Sequence, residues 1–202
     1  MSIKPIETNY RGYRFRSRLE ARWAVFFDAL GTEWHYEPEG FHLEHKGVQV
    51  NYLPDFWLPE LEAWGEVKGP PLTEEDRLKA ALLAYNTHKP VIFFQPIPDH
   101  SLPHFEIWGD PLAGLDGAEA KVTRDECVIA PCYRCGQSYH LLYKENCDIL
   151  VQCQVDDCEA MFEYQSITDI HGNITAFWGE TLDLRHPLNA ARRARFEHGE
   201  QG

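Results

Sequence analysis

The stretch that decides the fold runs from residue 52 to residue 68 and reads Tyr52-Leu-Pro-Asp55-Phe-Trp-Leu-Pro59-Glu-Leu-Glu62-Ala-Trp-Gly-Glu66-Val-Lys68. If Pro59–Glu62 forms a four-residue turn, the flanking segments pair as antiparallel strands. The opposed residues are then Leu58 with Ala63, Trp57 with Trp64, Asp55 with Glu66, and Leu53 with Lys68. Because opposed residues share a face and side chains alternate along a strand, Asp55, Glu66 and Lys68 should converge on one face. The other face is predicted to be core: Pro54, Phe56, Leu58, Ala63 and Val67.

The predicted hairpin also holds candidate catalytic residues. Two opposed carboxylates repel each other and need a shared proton, a nearby cation or a bound metal. Oxygen ligands at this spacing suit Mg²⁺ or Mn²⁺, which polarises a phosphate and lowers the pKa of a bound water. Lys68 can neutralise charge that develops on a phosphate or orient a water. The alternative is a surface hairpin with a solvated Glu66–Lys68 pair.

Signals on either side of the hairpin predict an α/β core with a mixed sheet flanked by helices. Ser17-Arg-Leu-Glu20 is a capping box, and Gly31 is a stop signal, so a helix is expected over about 18–30. A second helix, capped by Thr73, should run through Asp76–Tyr85 and end before Pro90. The predicted strands are Glu33–Leu43, Val48–Leu58, Ala63–Lys68, Val91–Phe94 and Phe105–Trp108.

Pro54-Asp55 followed by Glu66-Val-Lys68 resembles the signature of the PD-(D/E)xK, or restriction-endonuclease-like, nucleases. The run Phe15-Arg-Ser-Arg-Leu-Glu20 also resembles small members of this superfamily from phages and bacteria, and the resemblance covers about residues 10–96. It implies that Asp55, Glu66 and the backbone carbonyl of Val67 ligate Mg²⁺ or Mn²⁺, and that Lys68 acts on the water or phosphate. It also implies a helix-borne carboxylate at Glu20, which the capping box alone would equally explain. Glu37 is more often an exposed strand residue than a catalytic one.

Charge is distributed unevenly along the chain. The net charge is −13, which argues against a generic nucleic-acid coat protein, since those are usually basic. Residues 1–22, however, hold six basic residues against two acidic ones. Four of these basic residues are predicted to contact nucleic-acid phosphates, with a solvated charged arm as the alternative. They are Arg11, Arg14, Arg16 and Arg18.

The second half of the chain holds a cysteine pattern. Cys132-Tyr-Arg-Cys135 and Cys153-Gln-Val-Asp-Asp-Cys158 are two knuckles whose separation suits a tetrahedral, structural zinc site. Strands are expected over Ser138–Lys144, Asp148–Gln152 and Met161–Ile167, which resembles a zinc ribbon. The alternative is reduced, buried cysteines in an ordinary β segment. Cys127 and Cys147 fall outside the pattern and are interpreted as core cysteines.

The Gly-, Pro- and Asp-rich stretch at 109–117 resembles a linker. We therefore divide the chain into a nuclease domain over 1–117 and a small zinc-binding β module over 118–202, which ends in a short basic helix near Pro187–Phe196. No run approaches the roughly 20 apolar residues of a membrane span, and no signal peptide is visible. A cytoplasmic protein without membrane contact is the expectation.

The sequence thus predicts an Mg²⁺-dependent nuclease, most simply a DNA endonuclease, with a structural zinc ion. Two alternatives stay open. One is a catalytically silent nuclease fold that binds a protein partner through its acidic surface, and the other is an RNA-directed nuclease. A homodimer is a further possibility, because cutting both strands with one centre per chain usually requires two chains.

Overall fold

The computed structural model describes residues 6–45, 47–69, 71–97, 105–109, 122–131, 139–143, 150–152, 161–163, 165–168, 174–178 and 185–196. Its helices are α1 (Arg18–Leu30), α2 (Glu74–Thr87) and α3 (Arg185–Arg193). Its strands are β1 (Thr8–Tyr10), β2 (Tyr13–Phe15), β3 (His35–Tyr36), β4 (Phe41–His45), β5 (Val48–Tyr52), β6 (Phe56–Leu58), β7 (Ala63–Val67), β8 (Val91–Phe94), β9 (Phe105–Gly109), β10 (Thr123–Pro131), β11 (Tyr139–Tyr143), β12 (Leu150–Gln152), β13 (Met161–Glu163), β14 (Gln165–Thr168) and β15 (Ile174–Trp178).

Both helices predicted for the first half of the chain are present, and their caps explain their limits. Ser17 accepts a hydrogen bond from the Glu20 backbone N–H at the start of α1, and Gly31 ends it with a φ of 84°. Such a left-handed conformation is open to glycine without a steric penalty. At the start of α2, Thr73 and Asp76 form a reciprocal capping box.

The main sheet is mixed and has the strand order β11-β10-β9-β8-β7-β6-β3. Strands β7 and β8 are parallel and are joined through α2, while the other neighbours in this sheet are antiparallel. The mixed α/β class predicted from the sequence is therefore confirmed. Strands β10 and β11 lie beyond residue 117 and extend the same sheet.

The register predicted for the hairpin of β6 and β7 is confirmed where the two strands pair. Leu58 pairs with Ala63, and Trp57 pairs with Trp64. The other predicted pairs, Asp55 with Glu66 and Leu53 with Lys68, lie outside the paired residues, because β6 begins at Phe56. The connection is a single 3₁₀ turn over Pro59–Leu61, followed by Glu62 in the left-handed region with a φ of 46°. This turn fixes which side chains of the two strands share a face.

Two of the predicted strands are wrong in extent. Val48–Leu58 is two strands, β5 and β6, because the chain leaves the extended pairing at Leu53–Asp55. Glu33–Leu43 is likewise divided between β3 and the start of β4. Strands β4 and β5 pair with each other in a separate two-stranded ribbon, and Gly47, with a φ of 81°, lies in the turn between them.

The sheet is covered on both faces. One face packs Phe56, Leu58 and Phe94 against α1, with Trp23 and Phe27 fully buried. The other face packs Trp64, Val91 and Phe93 against α2 and against Leu43 of the β4–β5 ribbon. The predicted core face is confirmed. The opposite face is also buried, at Trp64. The site residues are therefore held between two packed layers.

The C-terminal part contributes to the first of these layers. The predicted basic helix near Pro187–Phe196 is α3, which packs against α1. Leu188, Ala191 and Phe196 are buried in the core cluster that also contains Trp23. Strands β12 with β13 and β14 with β15 form two further antiparallel pairs. None of the helices in the described ranges is long and apolar enough to cross a membrane.

Candidate active site

Asp55 lies directly before β6, opposite β7, and its side chain is 5% exposed. Its two carboxylate oxygens have different partners. Oδ2 accepts a hydrogen bond from the Val67 backbone N–H at 2.8 Å, and Oδ1 accepts one from Nη2 of Arg16 at 2.7 Å. The break of the extended chain at Pro54 thus places a buried carboxylate against the end of β7.

Glu66 lies on β7, and its side chain is 4% exposed. Oε1 is 2.8 Å from Nζ of Lys68. Oε2 is buried and has no hydrogen bond of acceptable geometry among the residues that the structure describes, although the Tyr52 hydroxyl is near enough to the Glu66 carboxylate to interact with it. A buried polar atom without a partner is uncommon and calls for an explanation, such as an ion.

The proximity of these carboxylates alters their electrostatics. Burial raises the pKa of the Asp55 carboxyl well above its ordinary range, and the nearby Glu66 and Glu20 carboxylates raise it further. The Val67 N–H and the Arg16 guanidinium oppose this rise. Burial, and then the Glu66 carboxylate, also raise the pKa of the Tyr52 hydroxyl, which therefore stays protonated. The site carries excess negative charge that an additional cation would stabilise.

Lys68 supplies one cation. Its Nζ lies between Glu66 and Asp76, at 2.8 Å from the former and 3.4 Å from Oδ1 of the latter. Burial alone would lower the pKa of the Lys68 amine, but Glu66 and then Asp76 raise it above its ordinary value. Asp76 belongs to the α2 capping box. The start of α2 therefore helps to position Lys68, a role that the sequence did not indicate.

Glu20 is close enough to affect Asp55 but is held by its own partners. Ser17 Oγ donates to its Oε1 at 2.7 Å. Its Oε2 accepts hydrogen bonds from the Tyr36 hydroxyl at 2.6 Å and from the Arg16 backbone N–H at 3.1 Å. Both predicted roles of Glu20 are compatible with this geometry, but the capping role is the one with direct contacts. Tyr36 was not identified as a site residue from the sequence.

Of the four basic residues predicted to contact phosphate, only Arg16 contacts the Asp55 carboxylate among the described residues. Arg11 pairs with Asp28 at 3.0 Å, and Arg14 pairs with Glu7. Arg18 begins α1 and is partly exposed. The side chains of Arg11, Arg14 and Arg16 are each more than half exposed.

Glu37 is not an exposed strand residue. It follows β3, its side chain is 24% exposed, and its Oε1 lies 2.6 Å from Nε of Arg16. Its backbone N–H donates to the carbonyl of Asp55 at 2.8 Å. The sequence did not indicate this role, because the contact joins segments far apart in the chain.

Two residues at the predicted magnesium site could serve as cation ligands. Asp55 and Glu66 offer hard oxygen donors, and the unpartnered Oε2 of Glu66 fits a cation ligand. Within the described ranges, no group of three or more His, Cys, Asp or Glu side chains is arranged to hold a metal. Two carboxylates would leave the rest of a cation's coordination to backbone and water oxygens, which is common for Mg²⁺.

The predicted zinc ligands Cys132, Cys135, Cys153 and Cys158 lie outside the described residues, so the zinc site stays a prediction. Comparisons of the chain with protein-family models, with curated proteins and with solved structures found no match. Function is therefore inferred from the chemistry of the site.

Proposed function

We propose that this chain is a metal-dependent nuclease with a restriction-endonuclease-like core, and that it hydrolyses phosphodiester bonds in DNA. The observation that carries the proposal is the buried pair of Asp55 and Glu66, with one unpartnered Glu66 oxygen beside Lys68. Such an arrangement is unfavourable for a purely structural purpose, because buried like charges destabilise a fold. Strongly perturbed carboxyls of this kind cluster at functional sites.

Asp55, Glu66 and the Val67 carbonyl would hold Mg²⁺ or Mn²⁺, which when bound polarises the phosphate and lowers the pKa of a coordinated water. Lys68 contacts Glu66 and can place its ammonium group next to a phosphate oxygen or an attacking water. Its raised pKa keeps it charged at neutral pH. In the metal-free protein Lys68 is therefore a cation that can stabilise negative charge.

Substrate would approach through the exposed arginines of the β1–β2 hairpin. Arg11 and Arg14 have side chains 62% and 73% exposed. The ion pair of Arg14 with Glu7 is on the surface and weak enough to exchange for a phosphate, whereas Asp28, the partner of Arg11, is only 14% exposed. Both arginines are on the same short hairpin that leads to Arg16 at Asp55. The exposed arginines of this hairpin are thus close in the chain to the arginine that contacts the acidic site.

The test is a cleavage assay with purified protein. Supercoiled plasmid, linear duplex, single-stranded DNA and RNA are each incubated with Mg²⁺, Mn²⁺ or EDTA. We expect cutting that requires metal and falls by at least about a hundredfold in Asp55→Asn and Lys68→Ala. Matched controls are Glu62→Gln and Lys89→Ala, which alter an exposed ion pair at the opposite end of the β6–β7 hairpin.

Each outcome points to one function. Metal-dependent cutting of DNA that is lost in both site variants and kept in both controls supports the proposal. Preferential cutting of RNA would replace DNA with RNA as the substrate. Absence of cutting on every substrate by folded protein would reject the nuclease and favour the alternative of a protein-binding module with an acidic surface.

A further inference from the structure

Arg16 bridges two carboxylates at the edge of the candidate site. Its Nε lies 2.6 Å from Oε1 of Glu37, and its Nη2 lies 2.7 Å from Oδ1 of Asp55. The guanidinium is a planar fork with five N–H donors, so contact with two carboxylates does not exhaust it. The side chain is 55% exposed, whereas that of Asp55 is 5% exposed. Arg16 therefore lies between the buried carboxylate and the solvent.

The backbone of Glu37 is held in an unfavourable conformation next to this contact. Its φ is 45°, in the left-handed region that residues other than glycine rarely adopt. The Glu37 N–H donates to the Asp55 carbonyl at 2.8 Å. The three residues thus form a ring. Two of its links are hydrogen bonds, from the Glu37 N–H to the Asp55 carbonyl and from Arg16 to the Asp55 carboxylate. The third, between Arg16 and Glu37, is an ion pair without hydrogen-bond geometry. Strained backbone of this kind is often found at functional sites.

Each oxygen of Asp55 accepts one hydrogen bond, Oδ2 from the Val67 N–H and Oδ1 from Arg16. A divalent cation on Oδ1 would lie next to the positively charged guanidinium and be repelled by it. The two cations would therefore compete for Oδ1. Glu37 offers Arg16 a second carboxylate that does not depend on Asp55.

We propose that Arg16 is an exchangeable counter-ion of Asp55, and that Glu37 is the positioning residue that retains it beside the site. This inference rests on the proposed nuclease function. In the metal-free protein, Arg16 neutralises Asp55. When Asp55 takes a divalent cation, Arg16 releases Oδ1, stays on Glu37 and presents its remaining donors to a phosphate of the nucleic acid.

The proposal predicts opposite effects of one substitution on two ligands. Arg16→Ala removes a competing cation, so divalent-metal affinity should increase, and it removes a phosphate contact, so nucleic-acid affinity should fall. Glu37→Gln takes away the second carboxylate on which the displaced guanidinium depends, so metal affinity should fall. If Arg16 had only a structural role, Arg16→Ala would weaken both the affinity for the metal and the affinity for nucleic acid.

Metal affinity is measured by calorimetric titration with Mn²⁺ alone, without nucleic acid. We expect Arg16→Ala to bind Mn²⁺ about tenfold more tightly and Glu37→Gln to bind it about fivefold more weakly, as for loss of one charged contact. In the Arg16→Ala background, Glu37→Gln should change the affinity by less than about twofold, because Glu37 acts through Arg16. Lys89→Ala, which removes one positive charge from a remote ion pair, is the control and should leave Mn²⁺ affinity unchanged.

Nucleic-acid affinity is measured by fluorescence anisotropy with a labelled duplex and Mn²⁺, in a cleavage-deficient Lys68→Ala background. Arg16→Ala should weaken binding and reduce the slope of log affinity against log salt by about one. Arg16→Lys should recover part of the duplex affinity, because it keeps the charge. Thermal melting of each variant verifies that it is folded.

The outcomes separate this inference from the proposed function. If the parent protein binds Mn²⁺ through Asp55 and Glu66, but the effects of Arg16→Ala and Glu37→Gln are additive, the exchange is rejected and the nuclease proposal stands. Weaker Mn²⁺ binding in Arg16→Ala would reject the exchange as well. If no variant binds Mn²⁺ while all are folded, the metal centre itself is rejected, and the exchange with it.

Discussion

Nζ of Lys68 lies 2.8 Å from Oε1 of Glu66, a carboxylate that is almost completely buried. The two residues are two positions apart on and just after β7, so both side chains extend from the same face of the strand. A buried charge is tolerated only when it is paired. Neither partner can therefore be removed alone without leaving the other in an unfavourable environment.

The first prediction tests this dependence. Lys68→Met leaves the Glu66 carboxylate without its cation and should lower the free energy of unfolding by about 1–3 kcal/mol. Addition of Glu66→Gln should restore most of that loss, because the uncompensated charge disappears. Urea denaturation in EDTA measures both. If the two effects simply add, the ion pair does not stabilise the fold as described.

The second prediction concerns the pH dependence caused by Asp55. Burial, and then Glu66, raise its folded-state pKa, so between about pH 4 and that raised value the folded state binds more protons than the unfolded state. In metal-free protein, this contribution to stability is present at low pH and lost as the pH rises. Asp55→Asn should lack this loss of stability. At pH 8 in EDTA it should therefore melt a few degrees higher than the parent protein.

Added Mn²⁺ should reverse the order of the two melting temperatures, so that the parent protein melts higher than Asp55→Asn. A cation that binds the folded state stabilises it by mass action, so the parent protein should gain melting temperature with added Mn²⁺ and Asp55→Asn should gain much less. Differential scanning fluorimetry with and without Mn²⁺ provides the comparison. Equal gains in both proteins would show that the cation binds elsewhere.

The sequence predicted the geometry of the hairpin because that geometry is local. The turn length and the alternation of side chains determine which residues oppose each other, and Leu58 with Ala63 follows from them. The two capped helices were predictable for the same reason, since the signals at Ser17 and Thr73 lie within one turn of the helices that they begin.

Contacts between distant segments were not predictable in this way. Arg16 reaches Asp55 across 39 positions, and Tyr36 reaches Glu20 across 16. Both contacts depend on the tertiary arrangement, in which β3 pairs with β6 and brings the segments before α1 and β6 together. The separate β4–β5 ribbon was missed for a related reason. Its apolar residues alternate as they would in a strand of the main sheet, and only Gly47 indicated the reversal of the chain.

The third prediction concerns Gly65, which precedes Glu66. A Cβ at this position would meet Cε2 of Phe94 at 2.9 Å and Cβ of Phe56 at 3.2 Å. Phe94 is fully buried among other rings and has little room to move. Gly65→Ala should therefore lower the free energy of unfolding by about 1–3 kcal/mol, measured by urea denaturation.

Gly40→Ala is the matched control for this substitution. A Cβ at Gly40 would meet its nearest neighbours at 3.9 Å, which is ordinary van der Waals contact. We expect this variant to be as stable as the parent protein or slightly more stable. If Gly65→Ala were as well tolerated, the close packing of Phe94 over β7 would be disproved.

The fourth prediction concerns the cysteine pattern at 132–158. The spacing of the two knuckles predicts one structural zinc ion per chain. Elemental analysis of purified protein should find zinc in a ratio of about one, and Cys132→Ser should lose it. Cys147→Ser, outside the pattern, should retain it. Zinc-free protein that melts at the same temperature as the untreated protein would disprove a structural role.

The last prediction uses Glu106, which links α2 to the strands next to it. Its carboxylate accepts hydrogen bonds from Arg77 at 2.9 Å, from Trp108 at 3.0 Å and from Arg124 at 3.0 Å. Burial alone would raise its pKa, but these donors, Arg77 foremost, lower it below its ordinary value. The stabilisation is present above pH 4.5 and is lost as the pH falls through the lowered pKa. Glu106→Gln should melt a few degrees lower than the parent protein at pH 7, and the difference should shrink toward pH 3. A difference that does not vary with pH would mean that Glu106 stabilises the fold by packing and not by its charge.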